Sequence, residues 1–290
     1  MYPALGRGGA QNAVRLGAVF LLLVLIILMV GPTSAPAGPG NVDVPMHEGQ
    51  PELLWSDEFD GPAGSLPDPA KWNMETGAGW TDGELQCYTA SPENVSQDGE
   101  SHLVIQAHQE GGHVCSDQTP TDYTSARITS RYHADGGTLA VRAKLPTGHG
   151  TWPAIWALGS NYTTVGWPQC GEMDLVEASG RDPFAVGVHI HGPGYSGGSA
   201  LGVSHRLSRD VASFHVYSAT WTRDQIDFFI DGDHVWGMTS GQRPPGSVWA
   251  LDHSFFAVLN VAVGGGLAGP PDGTTTWPQA MTVDYVRVYR

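Results

Sequence analysis

The chain has 290 residues and a formal charge of −15, from 14 Lys and Arg against 29 Asp and Glu. Lys71 and Lys144 are its only lysines, which argues against nucleic acid or an anionic membrane surface as a partner, since both select a basic face. The apolar share of 41% is enough for a core, and 39 Gly, 21 Pro, ten Trp and nine Tyr favour many short strands joined by turns over long helices.

The first element is a leader. Arg7 and Arg15 precede an uncharged apolar run, Leu16 to Val30, which ends at Gly31-Pro32 and a small-residue stretch, Thr33 to Ala37. This is the layout of a secretory signal, with Ala35-Pro36-Ala37 as the cleavage site. The run is shorter than the roughly 20 residues that span a bilayer, so a cleaved leader over 1–37 is expected, with an uncleaved anchor as the alternative. No Cys lies near the cleavage site to carry a lipid. Residues 38–51 are rich in Gly and Pro and read as a linker. The expected location is extracellular, with no stable membrane partner after cleavage. Export permits disulfides, and three cysteines allow one bridge. Cys87 and Cys115 share one polar, loop-rich region and are the expected pair; Cys170 is left as a core residue.

From residue 52 onward the pattern is period two. Leu103 to Ala107, Thr138 to Leu145, Phe184 to His191, Gln225 to Asp231, Phe255 to Val263 and Thr282 to Tyr289 read as strands. Turn signals such as Asp135-Gly136-Gly137 and Asp231-Gly232-Asp233 separate them. No long helical period and no short repeat interrupts the series, so residues 52–290 are expected to form one antiparallel β-sandwich in which the two chain ends pair.

The strongest chemical signal is Gly171-Glu-Met-Asp-Leu-Val-Glu-Ala178. Glu172 and Asp174 point to the same side of a strand. Glu177 would point to the other side unless one extra residue, a bulge near Leu175-Val176, restores the phase. Three crowded carboxylates repel, so at least one holds a proton near neutral pH, which is what a general acid needs. An arbitrary acidic strand edge has the same composition, and context decides. Trp152, Trp156 and Trp167 lie just upstream of or beside the acids, and flat indole faces stack on sugar rings.

These features together resemble glycoside hydrolase family 16, in particular its laminarinase-like endo-β-1,3-glucanases. The similarity runs from about Leu54 to Arg290 and includes Trp55-Ser-Asp-Glu-Phe59, Gly83-Glu-Leu-Gln86, Ser125-Ala-Arg-Ile128, Trp152-Pro-Ala-Ile-Trp156, His191-Gly-Pro-Gly-Tyr-Ser196 and Val283-Asp-Tyr-Val-Arg-Val288. The resemblance implies a concanavalin A-like jelly roll of two antiparallel sheets with a cleft on its concave face. It implies retaining hydrolysis, with Glu172 as nucleophile, Glu177 as general acid/base and Asp174 assisting the nucleophile. It places Arg127, His191 and Asp82 at the substrate cleft, with Asn260 and Gln279 as weaker candidates; Asp82 departs from the Asn usual in the family. No cofactor is required for this chemistry. A structural Ca²⁺ is implied on the convex face, at Glu58, the Gly99 carbonyl and Asp284. The expected partner is β-glucan and the expected state a monomer. Alternatives on the same fold are a non-hydrolytic β-glucan binder, a transglycosylase and a galactanase; retention of all three acids favours an enzyme over the binder.

Overall fold

The computed structural model describes residues 51–290. The expected leader over 1–37, and the linker 38–51 apart from Pro51, lie outside the described residues. The alternating segments all become strands. In chain order they are β1 (Leu53–Asp57), β2 (Trp72–Glu75), β3 (Gln86–Tyr88), β4 (Val95–Gln97), β5 (Leu103–Val114), β6 (Pro120–Ser125), β7 (Arg127–Ala134), β8 (Gly137–Lys144) and β9 (Thr151–Gly159). They continue with β10 (Glu172–Ala178), β11 (Ala185–His191), β12 (Leu201–Arg206), β13 (His215–Trp221), β14 (Gln225–Ile230), β15 (Asp233–Thr239), β16 (Phe255–Val263) and β17 (Gln279–Tyr289).

One sheet runs β12-β11-β10-β9-β16-β7-β2. The other runs β15-β14-β13-β8-β17-β5-β6-β3, with β1 on β17 and β4 on β5. Ile155, Met173, Ile190 and Leu259 of the first sheet and Ile105, Val141, Phe228 and Val286 of the second share one buried cluster, the dry interior of the sandwich. The chain ends pair as the alternation predicts: Leu53 faces Tyr289 and Asp57 faces Val286. Asp231 and Gly232, both at positive φ (52° and 86°), make the two-residue turn between β14 and β15. The strands pair antiparallel, with one local exception. β3 and β6 pair in parallel, because the chain reaches β6 through β4 and β5 rather than by a hairpin.

The disulfide is Cys87 to Cys115, with 28 residues of sequence separation, and Cys170 is a buried free thiol. The bridge ties β3 to the segment after β5, beside Tyr88. Closing a loop of this length restricts the unfolded chain, so the Cys87→Ser/Cys115→Ser double variant is expected to lose about 3 kcal/mol. Calorimetry should show a melting temperature lower by several degrees, and adding reductant to the wild type should reproduce the fall. Unchanged melting would show that the bridge does not constrain the unfolded state.

Candidate active site

The outward face of the seven-stranded sheet carries the acids. Against β11, Glu172 faces His191, Asp174 faces His189, and Glu177 faces Gly187. Three residues of β10 thus span two of β11. Against β9, Asp174 faces Trp156, Val176 faces Ile155 and Glu177 faces Ala154, so Leu175 is the inserted residue. The bulge turns Leu175 and Val176 both into buried positions and returns Glu177 to the side of Glu172 and Asp174. Glu177 stands between Ala154 and Gly187, and the space that Gly187 leaves is taken by the His189 ring. All three acids line one cleft of about 330 Å³.

The hydrogen bonds assign each acid a different environment. His191 Nδ1 accepts the Gly197 N–H at 3.1 Å, so the neutral ring carries its proton on Nε2. That Nε2 lies 3.1 Å from Asp174 Oδ2 and 3.7 Å from Glu172 Oε1. Asp174 is buried, and burial followed by the Glu177 charge pushes its pKa well up. The Glu172 pKa is pushed up to about 8, by burial first and the Asp174 charge second; His191 and a hydrogen bond from Trp167 act in the other direction. The row therefore holds a proton at neutral pH, as the crowding of carboxylates predicts. Glu177 is held at both oxygens: Trp152 Nε1 donates to Oε1 at 3.0 Å and His189 Nδ1 lies 2.9 Å from Oε2.

The tryptophans do more than present flat faces. Trp167 is 44% exposed and tilts against His191 at a ring separation of 5.8 Å. Trp152 orients Glu177. Trp156 donates from Nε1 to Asn260 Oδ1 at 2.8 Å, and its ring lies 4.7 Å from the Arg127 guanidinium. The same guanidinium lies 4.6 Å from the Trp80 ring. Arg127 lines the cleft and also pairs with Glu75 at 2.6 Å. Asp82 lines the cleft at φ 61°, a left-handed conformation that Asp tolerates better than most residues. Gln279 lies elsewhere: its Oε1 accepts the Gly148 N–H at 2.8 Å and so supports the loop before β9.

Spacing of the acids does not point to Glu84 and Tyr88, two further cleft residues, or to His189, which stands against Glu177. Glu84 is a fifth carboxyl of the cleft, after Asp82, its pKa raised mainly by burial. Gln86 Nε2 donates to Glu84 Oε2 at 2.6 Å and the Tyr88 hydroxyl donates to the same oxygen at 3.2 Å. Asn260 Nδ2 in turn donates to the Tyr88 oxygen at 3.0 Å. The alternation Glu84, Gln86, Tyr88 is the sequence signal for this chain of bonds.

Glu172, Asp174 and His191, and likewise Asp174, Glu177 and His189, bring atoms able to hold a metal within 4.8 Å of one another; the carboxylates already face imidazoles, Glu172 and Asp174 that of His191 and Glu177 that of His189. The calcium set implied by resemblance does not fit the residues as they stand. Glu58 accepts two bonds from Arg287, at 3.0 and 2.8 Å, and Asp284 pairs with Arg142. Two carboxylates each neutralised by a guanidinium do not make the open cluster of oxygens that Ca²⁺ takes.

A two-sheet β-sandwich with three acids in a Trp-lined cleft defines a carbohydrate-active protein. The sequence matches the family described as Glycosyl hydrolases family 16 over residues 83–287, and the chain belongs to this family: it is a glycoside hydrolase with the jelly-roll fold. A beta-glucanase of Rhodothermus marinus is 36% identical over 251 residues, 82% of this chain and 85% of that protein. The laminarinase catalytic domain of Thermotoga maritima MSB8 superposes with a TM-score of 0.78 at 41% identity, covering 83% of this chain and 99% of that one. The endo-beta-1,3-glucanase of Pyrococcus furiosus superposes at 0.77 with 37% identity, covering 82% and 94%.

Proposed function

We propose that the chain is a secreted, monomeric endo-acting hydrolase of β-1,3-glucan that works with retention of anomeric configuration. The observation that carries this reading is the bulge at Leu175, which sets Glu172 and Glu177 on one face beside the indoles of Trp152, Trp156 and Trp167. In the first step Glu177 gives a proton to the glycosidic oxygen while the Glu172 carboxylate bonds to the anomeric carbon and the C–O bond breaks. Asp174 takes the proton of the row, which frees Glu172 to attack; His191 Nε2–H orients both. In the second step water bonds to the anomeric carbon, its proton passes to Glu177, and the ester to Glu172 breaks. Trp167 and Trp156 provide platforms for sugar rings, and the Trp80-Arg127-Trp156 stack stiffens the wall beside Asp82 and Glu84. The names of the relatives support a β-glucan substrate, and the disulfide supports export.

The test is a reducing-sugar assay of the purified chain on laminarin, lichenan, xyloglucan and agarose, with NMR of the first-formed reducing ends. Laminarin should be cut fastest, with β-anomeric ends appearing first. Binding without release of ends would make the chain a β-glucan binder, release only in the presence of acceptor sugars a transglycosylase, and preference for agarose a galactanase. Sequencing the exported protein should find Gly38 at its N-terminus.

A further inference from the structure

His189 touches the residue proposed as acid/base, and its surroundings are shaped around it. It stands on β11 opposite Asp174, two residues from Gly187, which faces Glu177. Its partner on β12 is Gly202. A Cβ on Gly187 would strike the ring at Cε1, and one on Gly202 would come within 2.7 Å of Cδ2. The imidazole therefore lies in a cradle that only glycines allow. From that seat Nδ1 reaches Glu177 Oε2 at 2.9 Å, while Trp152 occupies Oε1. Nε2 has no hydrogen-bond partner among the described residues, and the side chain is 27% exposed.

We propose that His189 is a positioning residue that holds Glu177 through Nδ1 in its reactive orientation and shares one proton with it along that bond. This rests on the acid/base reading of Glu177 given above. With hydrogen on Nε2, the shared proton sits on Oε2 or on Nδ1. In the first step the pair gives that proton to the leaving oxygen as the glycosidic bond breaks. In the second step the attacking water returns a proton to the pair as its oxygen bonds to the anomeric carbon. The charged or titratable groups facing His189 are Glu177 and Asp174 of β10 and His191 of its own strand; Gly202 brings none from β12. The Glu177 hydrogen bond is the main influence raising the His189 pKa, burial opposing it. His189 thus keeps its proton to higher pH than a free imidazole, and the basic limb of the activity profile follows it.

The experiment compares kcat/KM on laminarin with kcat/KM on 2,4-dinitrophenyl β-laminaribioside, whose leaving group departs without a proton. His189→Ala should lose about 10- to 100-fold on laminarin and less than about threefold on the aryl substrate. His189→Asn offers an amide N–H near the Nδ1 position but does not titrate. It should recover most of the loss, with the basic limb of its pH profile moved to lower pH. Equal losses on both substrates in the folded His189→Ala variant, or an unmoved basic limb in His189→Asn, would overturn the proposal. If His189→Ala shows no thermal unfolding transition, His189→Asn alone decides. Glu177→Ala is measured on the same pair of substrates. If it loses equally on both, the acid/base assignment fails and the His189 role with it; if it is selective for laminarin and His189→Ala is not, only the His189 role falls.

Discussion

Glu172→Gln should lower kcat on laminarin by about 10⁴-fold or more while laminari-oligosaccharides still bind within a few-fold of the wild-type affinity. The amide has the shape of the carboxyl but cannot form the glycosyl ester, and the Trp and Arg127 walls that would hold the sugar are untouched. Isothermal titration and a reducing-sugar assay read the two effects separately; undiminished turnover would remove the mechanism. The same substitution has a second consequence. The Glu172 pKa rises from 4.5 in a free side chain to about 8 in the fold, because burial and the Asp174 charge oppose ionisation. A group whose folded pKa is raised favours the fold fully below its unfolded pKa, and that contribution disappears as pH rises through the folded value. Between about pH 4.5 and 8 the wild type thus loses stability that Glu172→Gln keeps. The variant should melt higher at pH 8, by at least about 2 °C, with the gap closing toward pH 4. Equal melting curves at pH 8 would show that the row of acids carries no such strain.

The sandwich is legible in the sequence because a strand with one buried face must alternate, and β8, β11, β14 and β17 do, while the central β16 is a continuous apolar run. Pairing of the chain ends follows from strands beginning near residue 52 and running to the last residues. The parallel contact of β3 with β6 is not legible, since strands of three and six residues carry no sign of which neighbour they meet. In the site, Glu172, Asp174 and Glu177 share one short segment, so phase alone brings them together once the bulge is allowed. Arg127 and Trp156 are visible as residue types, but the stacking between them arises from three strands, β7, β16 and β9, in register. His189 escapes detection because its meaning lies in Gly187 and Gly202, whose missing side chains make its seat. The Arg partners of Glu58 and Asp284 are likewise set by pairing across β1, β8 and β17, which spacing along the chain does not encode.

Glu177→Ala removes the acid of the first step and the base of the second, and the two losses separate by substrate. On laminarin the leaving oxygen needs a proton, so turnover should fall by about 10²- to 10⁴-fold. On 2,4-dinitrophenyl β-laminaribioside the phenolate leaves unaided, so the first step proceeds and the glycosyl ester on Glu172 accumulates. Mass spectrometry should find the enzyme heavier by one laminaribiosyl group, attached to the peptide containing Glu172. Azide needs no base, and the variant has room for it, because the truncated side chain vacates the place of a carboxyl group beside the cleft. Adding azide should therefore restore turnover of the aryl substrate and yield the β-glycosyl azide, since attack on the ester comes from the face opposite Glu172. An α-azide would instead mean that Glu177 had been the nucleophile and that the two glutamates trade roles. Absence of both rescue and covalent adduct would mean that hydrolysis does not pass through an ester at all.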